Sequence, residues 1–222
     1  MSKLFNFDSP FLSCLSKLAD MIILNITFII CCIPIVTIGA SITALYDAIA
    51  RLFRDEGNIY RAYFKSLYAN FKQATAQWMI MLFTGVPLAI CLRFYLNSNM
   101  AIGHVLLWIA VLFAFIWCAV IAWVFPLQSK FFNSVKNSFR NAILCSIAYL
   151  PRTIVMVVLN LFPVALVLLT PTFFFSVSIF IFLIWFSLVV SINLKIIEKV
   201  IQAMIERIDT VDVTTTKSNS IE

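Results

Sequence analysis

Charged residues are scarce in this chain of 222 residues, at 12% of the total against about 25% in soluble domains. Hydrophobic residues make up 63% of it. They occur in blocks of about 20 residues or more, the length at which a helix crosses ~30 Å of hydrocarbon with its backbone polar groups satisfied internally. A soluble core cannot hide that much apolar surface. The composition therefore predicts an all-α, polytopic transmembrane helical bundle.

Glycine and histidine are also scarce, with four glycines and one histidine in the whole sequence. The sequence has no Gly-rich phosphate-binding loop, and its six cysteines form no CxxC pair. No nucleophile, base and orienting group can be assembled into a catalytic set, and no residues are spaced as metal ligands. We therefore expect no enzyme activity, no catalytic residue, no metal and no cofactor.

The basic residues, which bring the formal net charge to +6, lie in short loops between apolar blocks. Lysine and arginine in such loops set membrane topology, so we expect the lipid bilayer rather than nucleic acid as a partner. Five of them fall between Arg51 and Lys72 and predict a cytoplasmic loop. Six membrane segments with both termini cytoplasmic fit every basic cluster. The alternative is five segments with an external N-terminus, in which residues 38–53 lie flat.

We predict one membrane domain over residues 1–212, followed by a disordered polar tail over 213–222. Two stretches of the domain are basic and amphipathic, with aromatic residues three and four apart, and are predicted to be interfacial helices. The predicted parts are a helical hairpin (18–53), an interfacial helix (54–75), a helix pair (76–127), a second interfacial helix (128–141), a second helix pair (142–194) and a cytoplasmic helix (195–212).

A corner is predicted in the first hairpin. Pro34 has no backbone N–H and disfavours helix in the residue before it, and Gly39 tolerates turn dihedrals. A stripe of small residues follows at i, i+4 and i+8, formed by Ala40, Ala44 and Ala48. Such a stripe lets another helix backbone come close in lipid, so we expect a helix-packing corner here.

Arg152 follows Pro151 inside a long apolar block, which leaves two placements open. Either the span begins at Pro151 and Arg152 lies at the inner interface, or it begins near Ala142 and Arg152 lies about 15 Å deep. The first is favoured, because an arginine at depth is costly and proline suits the first turn of a helix. At depth, Arg152 would need Asp20 or Asp47 as a partner.

Six polar residues stand in or beside the apolar blocks and have two interpretations. They either lie near the headgroups and between helices, or they line a polar cavity. The candidates are Asp20, Asn25, Asp47, Arg152, Asn160 and Asn193.

An internal repeat is also predicted. Sliding the chain by 68 residues sets Phe71 on Phe139 and Ala74 on Ala142. The hypothesis is that 60–127 superposes on 128–195; the alternative is that biased composition produces the matches.

Several motifs in residues 7–75 resemble the YesL family of bacterial membrane proteins, a domain of unknown function. They are Phe7-Asp8-Ser9-Pro10, Leu18 and Asp20 with Leu24-Asn25, the corner from Ile33 to Ala40 with Thr43-Ala44-Leu45-Tyr46, and Asn70-Phe71-Lys72-Gln73-Ala74-Thr75. Members of that family are often encoded beside carbohydrate uptake systems. The resemblance therefore implies a protein of the bacterial cytoplasmic membrane with a link to sugar import, and it supplies no binding residue.

Two hypotheses of function remain. The first is an accessory or scaffold protein that associates with a transport complex, or with itself, through the alanine stripe and the cytoplasmic helices. The second is a stand-alone small-solute permease lined by the six polar residues. The first is preferred, because those residues cluster near predicted segment ends rather than at the midplane where transporter sites lie.

Overall fold

The computed structural model describes four stretches of the chain, namely residues 10–97, 101–131, 134–169 and 184–202. Within them all regular structure is helical, which confirms the all-α prediction. The elements are α1 (Pro10–Cys32), a short 3-10 turn (Ile35–Thr37), α2 (Ile38–Phe53), α3 (Ile59–Leu96), α4 (Ala101–Lys130), α5 (Val135–Ala148), α6 (Leu150–Leu169) and α7 (184–202).

Four helical stretches are long and apolar enough to cross a membrane, namely Leu12–Cys32, Ile35–Phe53, Ile59–Leu96 and Ile102–Lys130. The bent pair α5 and α6 is a fifth candidate. These helices fit the predicted polytopic bundle. The second predicted helix pair (142–194) lies partly outside the described residues. Residues 203–222, with the end of the predicted cytoplasmic helix and the predicted tail, lie wholly outside them. Residues 184–202 form one helix, so the end of the predicted helix pair continues directly into the start of the predicted cytoplasmic helix.

The bundle is tied together at the first corner. The Thr37 hydroxyl lies 2.5 Å from the carbonyl oxygen of Cys31, at the end of α1, and 2.7 Å from that of Pro34, so these two carbonyl groups share its one hydrogen. The indole N–H of Trp78, on α3, donates to the carbonyl oxygen of Ile35 at 2.8 Å. The corner is therefore held both within the hairpin and against α3.

The alanine stripe of α2 lies inside the bundle. Ala40, Ala44 and Ala48 have no exposed surface, and α2 packs mainly on α3. A Cβ on Gly39 would lie 2.5 Å from the carbonyl oxygen of Ala74 on α3, so only glycine permits this approach. The expectation that a transport complex docks on the stripe is therefore wrong, because α3 of the same chain already covers it.

Helix α3 is longer than the predicted interfacial helix 54–75. It begins after Asn58, whose side chain accepts a hydrogen bond from the backbone N–H of Arg61 at 3.2 Å, and it runs for 38 residues to Leu96. At 1.5 Å per residue it measures about 57 Å, nearly twice the hydrocarbon thickness. Residues 59–75 of the predicted interfacial helix 54–75 are thus the first half of this helix, residues 54–58 form the loop before it, and no helix ends at residue 75.

A sharp break separates α5 from α6, which meet at 108°. Helix α5 ends at Ala148 and α6 begins at Leu150, which places Pro151 in the first turn of α6, where its missing backbone N–H costs no helical hydrogen bond. Arg152 therefore lies in the first turn of α6, next to the residue at which the first of the two predicted placements begins the span. The predicted interfacial helix 128–141 is also divided, because α4 runs on to Lys130 and α5 begins at Val135.

The predicted repeat, in which residues 60–127 superpose on 128–195, does not hold as a superposition of whole units. The first unit contains the unbroken α3, whereas the corresponding part of the second unit contains the 108° bend. The two units therefore cannot superpose along both the interfacial and the membrane helix. Pro151 accounts for the difference, because the 68-residue shift sets it on Phe83, which lies inside the unbroken α3.

Ion pairs join several helices at one end of the bundle, which we call the basic end. Lys17 of α1 lies 3.0 Å from Asp55 in the loop after α2. Glu198 of α7 lies 3.6 Å from Arg54 and 3.8 Å from Lys130 at the end of α4. The start of α1 and the ends of α2 and α4 therefore meet at this end.

Candidate functional site

The six predicted polar residues do not line one cavity. Asp20 accepts a hydrogen bond from the Tyr60 hydroxyl at 2.7 Å, between α1 and α3. Asp47 of α2 pairs with Arg51, one turn further along its own helix, at 3.3 Å. Both carboxylates lie towards the basic end but open onto different surface hollows.

The three asparagines lie in different surroundings. Asn25 and Asn193 are fully buried, and the Asn193 amide donates to the Tyr46 hydroxyl at 3.1 Å, between α7 and α2. Asn160 is exposed on α6 and donates to the carbonyl oxygen of Met156 in its own helix at 2.8 Å. Asn160 is therefore not buried with Asn25 and Asn193.

Arg152 pairs with neither candidate acid in the described part of the chain. Its guanidinium carbon lies 5.4 Å from the centre of the Tyr149 ring, a cation–π contact at the α5–α6 bend. Asp20 and Asp47 are engaged by Tyr60 and Arg51. The described contacts thus do not include the predicted pairing of Arg152 with Asp20 or Asp47.

We expect Arg152→Gln to change the free energy of unfolding by no more than about 1 kcal/mol. The half-buried side chain makes one ring contact, of a kind worth ~0.5–1 kcal/mol at exposed sites, and its buried Nη1 has no partner among the described residues. Thermal unfolding of the purified variant in detergent measures this. Tyr149→Leu removes the same contact together with the packing of the Tyr149 ring on Trp123, so it should cost more. Loss of folded protein on Arg152→Gln alone would contradict the interface placement.

A polar cleft opens at the basic end between α2, the first half of α3 and the end of α4. Its volume is about 660 Å³, and we call it the basic cleft. Its lining residues are Asp47, Arg51, Asn58, Arg61, Ala62, Lys65, Ser66, Ala69, Asn70 and Ser129.

Small side chains on α3 make room for the cleft. Ala62, Ser66 and Ala69 are spaced at i, i+4 and i+7, which places them on one face of the helix. Because none of the three reaches far from the helix, the ends of α2 and α4 do not close over this face. The cleft therefore follows from residue size along one stripe of α3.

The charge of the cleft is positive. Among the lining residues that the structure describes, three are cations and one, Asp47, is a carboxylate. Asp47 is already paired with Arg51, which also lies 3.9 Å from Glu56. Arg61 and Lys65 are exposed and form no ion pair with the residues that the structure describes. Within the described part of the chain, two positive charges of the cleft thus have no counter-charge.

Beneath the cleft lies a group of buried amides and one hydroxyl, which we call the amide cluster. Gln128 of α4 is its centre and is only 2% exposed. Its Oε1 accepts from Gln77 at 3.0 Å and from the Ser138 hydroxyl at 2.9 Å, and its Nε2 donates to Gln73 at 2.7 Å. A longer contact of 3.4 Å joins its Nε2 to Asn70. Since Asn70 also lines the cleft, the cluster forms part of the cleft floor.

Sequence reasoning did not identify the amide cluster. One indication was available: Asn70, Gln73 and Gln77 recur at i, i+3 and i+7 in a segment that becomes apolar, and buried polar groups must find partners. Their partners Gln128 and Ser138 are distant in sequence, so the pairing could not be deduced. The described residues contain no group of three or more potential metal-ligating side chains. Charge and hydrogen bonding are thus the chemistry that the cleft offers.

Part of the chain matches a known family model. Residues 21–91 match the model described as "Protein of unknown function, DUF624". No curated protein and no solved structure gives a significant match. The matched residues include α2, most of α3 and every cleft-lining residue except Ser129. The part of this membrane protein that is similar to the family is therefore the part that builds most of the cleft.

Proposed function

We propose that the protein is an accessory component of the bacterial cytoplasmic membrane, with both termini in the cytoplasm, and that it assists carbohydrate uptake without catalysing a reaction. The residues shared with the YesL family motifs support the link to carbohydrate uptake. Its partner would be a transport complex that it contacts at the cytoplasmic surface.

The basic cleft is the observation that carries this proposal. Its polar and charged groups gather at one end of the bundle, where a cytoplasmic partner can reach them. The same end holds Arg54 and Lys130, and lysine and arginine accumulate on the cytoplasmic side of membrane proteins. An accessory protein needs such an accessible polar surface on a stable membrane anchor.

Site-specific crosslinking in native membranes tests the proposal. A photo-crosslinking amino acid at Ala69, in the cleft, should capture a component of a carbohydrate uptake system in cells grown on its carbohydrate. The same probe at Trp108, a largely exposed residue of α4 far along the chain from the cleft, is the control. Equal capture from both positions, or none from Ala69 in any uptake-competent strain, would contradict the accessory role.

Topology is the second test. A reporter that works in the cytoplasm should be active when it is fused after Glu222, and a reporter that works only outside the cell should be inactive, because the basic loops orient the chain. A cysteine introduced at Ser9 should resist a membrane-impermeant reagent added to intact cells and react after lysis. Labelling from outside would instead support the alternative of five segments with an external N-terminus.

A permease remains the second candidate, and the buried Asn193–Tyr46 hydrogen bond favours it. Polar groups inside a membrane bundle often mark solute paths. Purified protein in liposomes should then take up a carbohydrate without other components, and Asn193→Leu should reduce that uptake. If no candidate carbohydrate enters, the permease function is rejected while the accessory role stands.

A further inference from the structure

The two uncompensated cations of the basic cleft lie one helical turn apart. Arg61 and Lys65 are at i and i+4 on α3, so their side chains reach the same side of the cleft. Arg51, on the opposite wall, is partly neutralised by Asp47 and Glu56. An anionic group entering the cleft would therefore meet Arg61 and Lys65 first. Charge-assisted hydrogen bonds to such cations are stronger than neutral ones.

The floor of the cleft offers fixed neutral groups next to these charges. Ser66 is buried, and its hydroxyl oxygen accepts a hydrogen bond from the Asn70 amide at 3.3 Å. Its hydroxyl hydrogen has no acceptor among the residues that the structure describes, so it is available to donate. Asn70 is itself held by Ser66 and contacts Gln128. These groups are oriented before any ligand arrives.

We infer that the basic cleft binds a phosphate-bearing ligand, with the phosphate on Arg61 and Lys65 and the neutral polar part at Ser66 and Asn70. The volume of about 660 Å³ falls within the range of small-molecule sites, roughly 300–1,000 Å³, and exceeds the need of a lone phosphate ion. The phosphate could belong to an anionic phospholipid headgroup or to a soluble phosphate ester, since both present the same oxygens. The inference rests on the proposed function in one respect only, namely that the cleft opens on the cytoplasmic side of the membrane.

Binding to the purified full-length protein tests this inference. The protein is placed in nanodiscs of neutral phosphatidylcholine, and glycerol 3-phosphate is titrated by calorimetry. In a second arm, the nanodiscs contain phosphatidylglycerol, and native mass spectrometry counts the lipids retained. Saturable binding of glycerol 3-phosphate identifies a soluble ester as the source, and retention of phosphatidylglycerol identifies a headgroup. Either result supports a phosphate site.

Variants then locate the binding. Arg61→Gln with Lys65→Gln should weaken it at least about tenfold, the loss expected for one charge-assisted hydrogen bond. Lys72→Gln is the matched control, because Lys72 is an exposed cation on the same helix that does not line the cleft, and it should change the affinity less than about twofold. Ala62→Leu should also weaken binding, since it fills the cleft without changing its charge.

Two outcomes would overturn the inference: no saturable binding of either probe, or an equal loss in Lys72→Gln and in the double variant. The charge variants replace exposed side chains, so their thermal unfolding should match that of the wild type and loss of folding will not mimic loss of binding. Because the measurement uses the isolated protein, a failed crosslink to an uptake component leaves it unaffected. A negative titration likewise leaves the accessory role standing.

Discussion

Gly39→Val is expected to prevent stable folding of the bundle. A Cβ at this position would lie 2.5 Å from the carbonyl oxygen of Ala74 and 2.6 Å from Cβ of Trp78. The first of these atoms belongs to the backbone of α3, so the whole helix must shift. Overpacking costs ~1–3 kcal/mol and occasionally more, and the β-branched side chain adds atoms beyond Cβ. We expect a loss of roughly 3 kcal/mol or more, measured as thermal unfolding in detergent and as yield of monodisperse protein.

Gly57→Ala is the control for this prediction. Gly57 has a φ of +60°, but an added Cβ meets nothing within 4 Å. The substitution therefore costs only the left-handed backbone conformation, about 1–2 kcal/mol. Gly39→Ala should fall between the two variants, because the gain in helix propensity of about 1 kcal/mol offsets part of the clash. Wild-type stability of Gly39→Val would show that α2 and α3 are not packed as described.

The first hairpin was predictable because its information is local. Pro34 and Gly39 lie within one corner, and each restricts or frees the backbone by its own covalent structure. The alanine stripe likewise predicts a close helix contact. It does not say which helix makes that contact, since a small residue is equally compatible with a partner protein and with a neighbour in the chain. Only the approach of α3 to Gly39 decides between them.

The prediction that a helix ends at residue 75 was wrong because a change in sequence character is not a helix end. The change from basic and amphipathic to apolar sequence near that point reflects the surroundings of the helix, whereas helix ends depend on backbone-breaking residues. No glycine or proline occurs in α3 before Gly85, so the helix has no reason to end earlier. By contrast, Pro151 does carry such information, and the break before it was among the predicted alternatives.

The basic cleft was only partly predictable. The loop charges that set its positive potential are visible in the sequence, and so is the spacing of Ala62, Ser66 and Ala69. The wall that α4 supplies is not visible, because Ser129 reaches the cleft only through the register of α4 against α3. That register depends on side-chain packing over the whole contact, which no short motif encodes.

Gln128→Leu is the second substitution from which we expect a large loss. It removes the shared partner of Gln77, Gln73 and Ser138, of which Gln77 and Ser138 are buried and Gln73 is half-buried. Each buried group without a partner costs ~1–3 kcal/mol, so we expect roughly 3 kcal/mol or more in total. Gln73→Leu, in which a half-buried side chain loses one hydrogen bond, is the control and should cost about 1 kcal/mol. Thermal unfolding of the purified variants measures both.

A double-mutant cycle shows whether the loss of stability comes from buried polar groups left without a partner or from the lost hydrogen bonds themselves. Interhelical hydrogen bonds in membrane proteins average only about 0.6 kcal/mol, less than the cost of one orphaned group. Gln77→Leu combined with Gln128→Leu should therefore cost less than the sum of the single changes, because the double variant no longer buries the Gln77 amide. Strict additivity would mean that water already reaches Gln77 and Gln128, and that the amide cluster is an open extension of the cleft rather than its floor.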